Sequence, residues 1–495
     1  MKVRKLLSLI VASLAVSFFA SAAQQDFYPL KNNAIGNASC LTLASDGASL
    51  LFSACSDVSS QQWKLEKFEA YYYIRNKSSE KCLRTLGNGT TVNLGTCSGD
   101  GYTSMRLWDI KEGRAGVITL RNKYNNDLGK KQTLNATSVA NIGMSTASNV
   151  EQMQWHYAGE LPAPVRAITG TKKILLMATH FNGVTPNDPE PIRKAVLGER
   201  DSDASLRNYV KQASRGKLNL TGTFLRNINI GDRPATCSSS NILSSARAAA
   251  LKLGVNPADY DYLFVDISRT STCSFEGLAA MPGNWIISNN VGHKVWMWSH
   301  EFGHNLGFQH SATLKNCPVT GGIVQLNSAC TQGGGGDATD TMGGGGSKLY
   351  PANYQYYTTW LNDTEMPVIT KAGIYNLYPL FSENMIVPVS RSDGRRGYRI
   401  KRNDGSVLVL EYRQPKGTFE KWDSNDPFVN GVTVRVMHYS GSSVKSVLVD
   451  TTPETSSNKD APLLPGKAIY DELSGKYIRV IKIDTWGALI QIEDR

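Results

Sequence analysis

His300-Glu301-Phe302-Gly303-His304-Asn305-Leu306-Gly307-Phe308-Gln309-His310 is the stretch on which the reading of the whole chain turns. Residues four apart on a helix share a face, so His300 and His304 can point at one metal ion. Glu301, next to the first of them, can reach a water held by that metal. Gly307 marks the expected helix end, because glycine accepts a left-handed conformation cheaply. The chain can then turn and bring His310 back as a third ligand. Three neutral imidazoles leave a fourth position for water, as a catalytic zinc site requires. His293 is expected on the same helical face two turns earlier, about 10 Å away by helical rise, and hence as a structural residue.

Downstream lies Asp337-Ala338-Thr339-Asp340-Thr341-Met342-Gly343. The two segments together resemble the metzincin clan of zinc metalloproteases, in which an extended histidine motif is followed by a Met-turn. Residues 170 to 490 look most like gametolysin-type peptidases, on the strength of Ser205 to Gly222, Gly336 to Gly343 and Leu408 to Gln414. The resemblance implies Zn2+ as cofactor, held by His300, His304 and His310, with Glu301 as general base in peptide-bond hydrolysis. It also implies that Met342 packs beneath the imidazoles without binding metal, a place that suits a polarizable, flexible side chain. Two departures stand out. Gly344 occupies the position where some members carry a zinc-binding tyrosine, and Tyr350 is not assigned that role. No cysteine is left over to block the metal. Gly333 to Gly336 and Gly343 to Gly346 flank the Met-turn, as cleft walls or as plain surface loops.

Outward from the motif, Lys173 to Ala178 and Tyr262 to Val265 read as buried strands. Ala204 to Ala213 reads as a helix with Leu206, Tyr209 and Val210 on one side. Strands alternating with helices suggest an α/β or α+β catalytic core over 170–365. Leu161-Pro162-Ala163-Pro164 falls in an expected linker at 159–169. Beyond it, Val432 to Met437, Val447 to Val449 and Ile478 to Ile483 suggest a C-terminal β-rich unit over 366–495, either a sandwich-like domain or an extension of the catalytic unit. Arg391, Arg395, Arg396, Arg399, Lys401 and Arg402 cluster around a hairpin that turns at Asn403-Asp404-Gly405 and returns along Val407 to Leu410. That cluster reads as a solvated strand face, with anionic glycans as the sharper alternative.

Residues 25–158 repeat. Ile74-Arg75-Asn76-Lys77 and Leu120-Arg121-Asn122-Lys123 open two units, and Trp63, Trp108 and Trp155 close three. Each repeated Trp would bury a large ring where β-rich modules meet. The pattern resembles the ricin B-type lectin β-trefoil, whose units end in Gln-x-Trp. Gln61-Gln62-Trp63 matches that ending, whereas Arg106 and Met153 depart from it. The third unit carries Leu128 and Met144 where the second has Cys82 and Cys97, so these are expected to pack where the others are bonded. The resemblance implies sugar binding through an Asp two residues after the first Cys of a unit. Those positions hold Thr42, Arg84 and Lys130, so a carbohydrate partner stays open.

At 495 residues the chain should form two to four domains. Its 41% hydrophobic and 19% charged residues suit a folded protein. Lys2, Arg4 and Lys5 precede an apolar run from Leu6 to Phe19 and then Ala20-Ser21-Ala22, which reads as a signal peptide over 1–22 and a secreted product. Eight cysteines fit that compartment, paired as sequence neighbours: Cys40 with Cys55, Cys82 with Cys97, Cys237 with Cys273, and Cys317 with Cys330. The formal charge of +11 bears on surface attraction rather than fold. No nucleic-acid module is recognised, and no internal apolar run is long enough for stable membrane insertion. The expectation is therefore a multidomain protein: an all-β trefoil, an α/β (α+β) metzincin domain and a C-terminal β-rich domain. Its function would be a secreted zinc endopeptidase acting on extracellular proteins or glycoproteins. A glycan-binding adhesin with an inactive protease core is the alternative from another class, and a zinc amidase acting on cell-wall peptides shares the site.

Overall fold

The computed structural model describes residues 27–68, 71–98, 103–112, 117–146, 150–157, 166–381, 394–415, 417–440, 442–484 and 486–495. The expected signal peptide at 1–22, most of the expected linker and Arg391 lie outside the described residues. No helix among the described residues is long and apolar enough to cross a membrane.

In the N-terminal region six strands close on themselves: Tyr28–Asn32, Gln62–Phe68, Tyr71–Asn76, Trp108–Glu112, Val117–Asn122 and Trp155–Tyr157. Three hairpins complete the figure, Ser39–Leu43 with Leu50–Ala54, Cys82–Thr85 with Val92–Gly95, and Thr133–Ser138 with Asn141–Ser145. Six closed strands and three hairpins form a β-trefoil. Its three-fold logic is chemical as well as geometric. Trp63, Trp108 and Trp155 are fully buried, and their indole N–H groups donate to Leu41 O, Leu83 O and Leu134 O at 2.9, 2.9 and 3.0 Å. Each ring thus fills the shared core while its polar handle is satisfied. Asn32, Asn76 and Asn122 repeat too, each buried and donating its amide to a backbone carbonyl of the segment that closes a unit.

The third unit corrects the sequence alignment. A helix, Lys123–Asp127, follows Asn122 and pushes the hairpin along the chain. The residue before the tryptophan's acceptor is Cys40, Cys82 or Thr133, so Thr133 and not Leu128 matches the cysteines. Leu128 is 52% exposed and replaces nothing in the core. Met144 faces Leu134 as Leu94 faces Leu83, so it matches Leu94 rather than Cys97. Spacing counted from the Asn missed this, because the inserted helix shifts everything behind it.

The next unit is a five-stranded sheet in the order Leu218–Asn229, Gly170–His180, Tyr262–Ile267, Trp285–Asn289, Gly277–Ala279. Neighbours among the first four run parallel, and the edge strand Gly277–Ala279 is antiparallel. All six residues of Tyr262–Ile267 are buried, as a parallel strand covered on both faces requires. Ile174, Leu176 and Phe264 face the helices Pro189–Leu197, Leu206–Ala213 and Val295–Leu306. Leu175, Met177 and Val265 face the helix Ser239–Lys252 on the other side. Alternate side chains on one strand thus feed two cores. The helix expected over 204–213 starts at Leu206, because Ser205 caps it by accepting from Asn208 N at 3.3 Å.

The C-terminal region is a sandwich of two six-stranded sheets sharing one apolar core. It does not begin at residue 366. Ala312–Lys315, Val319–Thr320, Ile323–Leu326 and Thr331–Gly334, from the loop between His310 and Met342, join its sheets. The core against the histidine helix also includes Val409, Met437 and Val444, so the expected boundary at 365/366 divides a continuous unit. The expected linker is likewise fixed at its end: Arg166 donates through Nη1 to Asn305 O at 3.0 Å and through its backbone N to Tyr357 O.

The basic cluster does sit on a hairpin, Gly397–Lys401 with Val407–Tyr412, but it is not a uniformly solvated face. Arg399 turns inward to Asp363, and Arg402 makes a buried ion pair with Asp471 at 2.9 Å. All four expected disulfides are present, and no described cysteine is free.

Candidate metal centre

The helix that carries the motif is Val295–Leu306. Trp298 and Phe302, one turn apart, bury against Phe264 of the central sheet, with Trp298 stacked on it at 5.4 Å. The Trp298 indole donates to Gly292 O at 2.7 Å, and Asn305 Nδ2 donates to Ala280 O and Trp285 O. The helix is therefore pinned at both ends. It stops at Gly307, which has φ 97°, a left-handed conformation that a side chain would resist. His293 lies before the helix and is exposed, so it is not on the expected helical face.

The turn after Gly307 returns His310 to the helix. Its Nε2 lies 3.1 Å from His300 Nε2 and 3.2 Å from His304 Nε2. A tetrahedral zinc with nitrogen ligands at about 2.0–2.1 Å has ligand edges of about 3.3–3.4 Å, so this donor set fits that ion. His300 Nδ1 is 2.8 Å from Thr341 O, and His304 Nδ1 is 2.8 Å from Phe308 O. A carbonyl can only accept, so each Nδ1 carries the proton and each Nε2 offers a lone pair. Burial lowers the pKa of His300, and burial together with His300 pushes His304 down to about 4. Among the described residues, no other group of three His, Cys, Asp or Glu side chains converges in this way.

Glu301 is 7% exposed, and its carboxylate has no hydrogen-bond or ion partner among the described residues. Burial alone pushes its pKa up to about 7. The carboxylate lies against Gly277 of the edge strand, where a Cβ would come within 2.5 Å of Oε1. Glycine at that position gives the carboxylate its room, a role that spacing could not reveal.

Met342 is buried against the helix at Gly303, where a Cβ would meet its sulfur at 2.4 Å. The loop around it is held from below by buried charge. Arg435 pairs with Asp337 and, at 2.9 Å, with Glu411, and also donates to Thr339 Oγ1. Arg413 pairs with Glu420 at 2.5 Å. Asp340 accepts from Met342 N, and burial and the neighbouring Asp337 push its pKa up to about 7. Tyr350 is fully buried and donates to Ser299 O at 2.5 Å, away from the histidine nitrogens. Asp337 and Asp340 belong to this loop, but Glu411, Arg413, Glu420 and Arg435 come from segments far downstream, so no local pattern tied these four to it. Beside His300 and His310 lies an open cleft of about 710 Å³ whose walls include Gly334, Gly335, Gly343, Gly344 and Gly346. Both glycine runs thus contribute to the cleft.

In the trefoil, the positions two residues past Cys40, Cys82 and, after the register correction, Thr133 are Thr42, Arg84 and Asn135, the last in place of Lys130. All are engaged internally: Thr42 with Ser53 Oγ, Arg84 with Asn93 Oδ1, and Asn135 with Ser145.

Against known proteins, residues 59–144 match the family described as ricin-type beta-trefoil lectin domain-like. No curated protein matches the chain. Among solved structures, the designed three-fold symmetric protein ThreeFoil is 19% identical over 28% of this chain and 100% of its own, with a TM-score of 0.24. A ricin B-like lectin of Macrolepiota procera, in complex with lactose, is 15% identical over 28% of this chain and 96% of its own, at 0.22. A Polyporus squamosus lectin is 14% identical over 28% of this chain and 50% of its own, at 0.23. The chain is a multidomain, strand-rich protein with an N-terminal trefoil lectin-like domain.

Proposed function

We propose that the chain is a secreted zinc endopeptidase whose metal is held by His300, His304 and His310. The observation that carries this reading is the convergence of three Nε2 atoms, two of them fixed in the ligand tautomer, beside an unpaired buried carboxylate. A zinc ion held there would acidify its water and polarise the scissile carbonyl. Glu301, next to His300 on the helix and with its carboxylate unpaired, would take a proton from a water held there and pass it to the leaving amine. The edge strand Gly277–Ala279 offers backbone groups along which an extended peptide can pair beside Glu301. Met342 and the buried ions beneath it keep Thr341 O in place, and with it the His300 ring. The four disulfides and the N-terminal sorting signal support action outside the cell.

Casein and a mucin-type glycoprotein, digested by the mature protein with and without chelator, test this reading. Glu301→Ala is expected to lose about 10²–10⁴ of the rate with its zinc retained. His304→Ala is expected to lose both zinc and activity. Cleavage that persists in Glu301→Ala would sink the mechanism, and release of cell-wall peptides alone would favour the amidase.

The family match at 59–144 favours a second role, carbohydrate binding by the trefoil, with glycoproteins as substrates. The internal engagement of Thr42, Arg84 and Asn135 directs the search to other surfaces of the trefoil. Glycan-array binding by Glu301→Ala with no cleavage of protein by the wild type would replace the enzyme with the adhesin.

A further inference from the structure

The cleft beside the metal centre carries an unbalanced positive charge. Lys445 lies on strand Ser443–Val449, which runs along the turn that returns His310: Gln309 N donates to Val444 O at 2.9 Å, and Phe308 bridges to Val444. Ser446, the next residue, faces the other way and accepts from Arg435 Nη1 at 3.2 Å. Lys445 therefore faces the open side, where it lines the cleft with His300, His310, Ser311 and Trp296. It is half-buried, and among the described residues it has no ion-pair or hydrogen-bond partner.

Among the described residues, no carboxylate lines this cleft. Of the neighbouring groups, Asp404 is a carboxylate, and its charge acts on Arg402 and His438. Burial lowers the pKa of His438, across the strand from Lys445; Asp404 opposes this, and Arg402, Lys445 and Lys111 add to it. Asp404, which faces His438, is engaged by the Ser406 hydroxyl at 2.6 Å and its N–H at 3.0 Å. A second polar group in the cleft is also unspent: Ser311 Oγ is buried with no hydrogen-bond partner. A half-buried ammonium and a buried hydroxyl without partners leave electrostatic and hydrogen-bonding capacity for a ligand.

We propose that this cleft is a subsite for an acidic side chain, aspartate or glutamate, on one side of the scissile bond, with Lys445 as the specificity-determining cation. This rests on the endopeptidase reading. Glycine walls leave room for the side chain, and the lysine stem can cover its methylenes while the ammonium meets the carboxylate.

The test is a set of peptides around one cleavage site, with Glu or Gln placed in turn at each flanking position. Wild type, Lys445→Ala and Lys445→Glu are compared at equal zinc content and thermal stability. At one position the wild type is expected to prefer Glu by about tenfold in kcat/KM, chiefly through KM. Lys445→Ala should bring the ratio to about one, and Lys445→Glu should invert it. A wild-type ratio of one at every position, or a preference unchanged in Lys445→Ala, overturns the proposal. Calorimetric binding of the same peptides to Glu301→Ala, with and without Lys445→Glu, reads the subsite without turnover. If the wild type cleaves no peptide, the endopeptidase reading fails, and the binding arm alone decides whether Lys445 selects a carboxylate.

Discussion

The trefoil and the unit from residue 166 onward fill their interiors by opposite means. Among the described residues of the trefoil, Arg106 is the one charged residue buried as a whole, and half-buried Lys67 buries its ammonium; the other buried polar groups are neutral, chiefly Asn32, Gln61, Asn76, Asn122 and Asn135. The larger unit buries Asp266, Asp337, Asp340, Glu411, Arg413, Glu420 and Arg435. A neutral amide bonded to backbone carbonyls fixes strand register at modest risk. Buried ions cost desolvation and hold only as a complete set, yet a complete set fixes a loop in one place. The trefoil needs only to be a trefoil, three times over. The larger unit must hold Thr341 and Met342 against the helix that carries His300 and His304, and it uses charge to do so. Fold and site are separate achievements, and here they fall in separate regions.

Removing the centre of that charge set should give the largest effect. Arg435→Met leaves Asp337 buried without its cation and Glu411 with Arg413 alone, at 3.6 Å, and is expected to cost about 5 kcal/mol. Unfolding by urea in the presence of chelator, so that metal binding does not contribute, measures the loss. Zinc retention should fall as well, because Thr341 O no longer holds the His300 ring. A variant with normal stability and normal zinc content would show that the loop at Met342 stands without its charged support, and the contrast with the trefoil would lose its point.

Trp108→Ala attacks the other region and should cost about 4 kcal/mol, through the lost ring and the orphaned Leu83 carbonyl. The trefoil transition should move down while cleavage of short peptides is unchanged. A contact does join the two regions, since Lys111 donates to Tyr439 O at 3.2 Å. If peptide cleavage falls along with the trefoil, that contact, at the residue after His438 and beside the strand of Lys445, transmits the loss.

What could be read in the sequence follows the same division. The histidine motif was legible because helical periodicity and one glycine fix the positions of His300, His304 and His310 within eleven residues. The closing tryptophans were legible because repetition exposes them. The register of the third trefoil unit was not, because an inserted helix breaks the count between Asn122 and Thr133. The boundary at 366 was misplaced for a related reason. The strands between His310 and Met342 find their partners more than 100 residues later, and pairing at that distance leaves no local trace. Gly277, Arg435 and Lys445 escaped notice on the same grounds: each acts only where separate segments meet.

The smallest expected effect is the most discriminating, because it asks for different pH windows in the two regions. Asp266, at the end of a central strand, accepts from Gly292 N at 2.9 Å, and burial pushes its pKa up to about 6 from 3.8. The native state therefore holds this proton more tightly than the unfolded chain does. The stability it contributes is complete below about pH 4 and is lost as pH rises through about 6. On the order of 2–3 kcal/mol should disappear across that window. Asp266→Asn carries no such proton, so its stability relative to wild type should improve steadily from pH 4 to 7, as read by urea unfolding of both proteins at each pH. In the trefoil the displaced groups lie elsewhere. Asp46 is held at about 2, and burial pushes Lys67 down to about 7 from 10.5. The trefoil transition should therefore stay level with respect to these groups between pH 4 and 7. Above that it should gain stability, because a lysine with a lowered pKa is penalised only while charged, and that penalty is relieved as pH rises from 7 to 10.5. A difference between Asp266→Asn and wild type that stays flat from pH 4 to 7 would remove Asp266 from the account. A trefoil that follows the larger unit through that window would show that the two regions unfold as one.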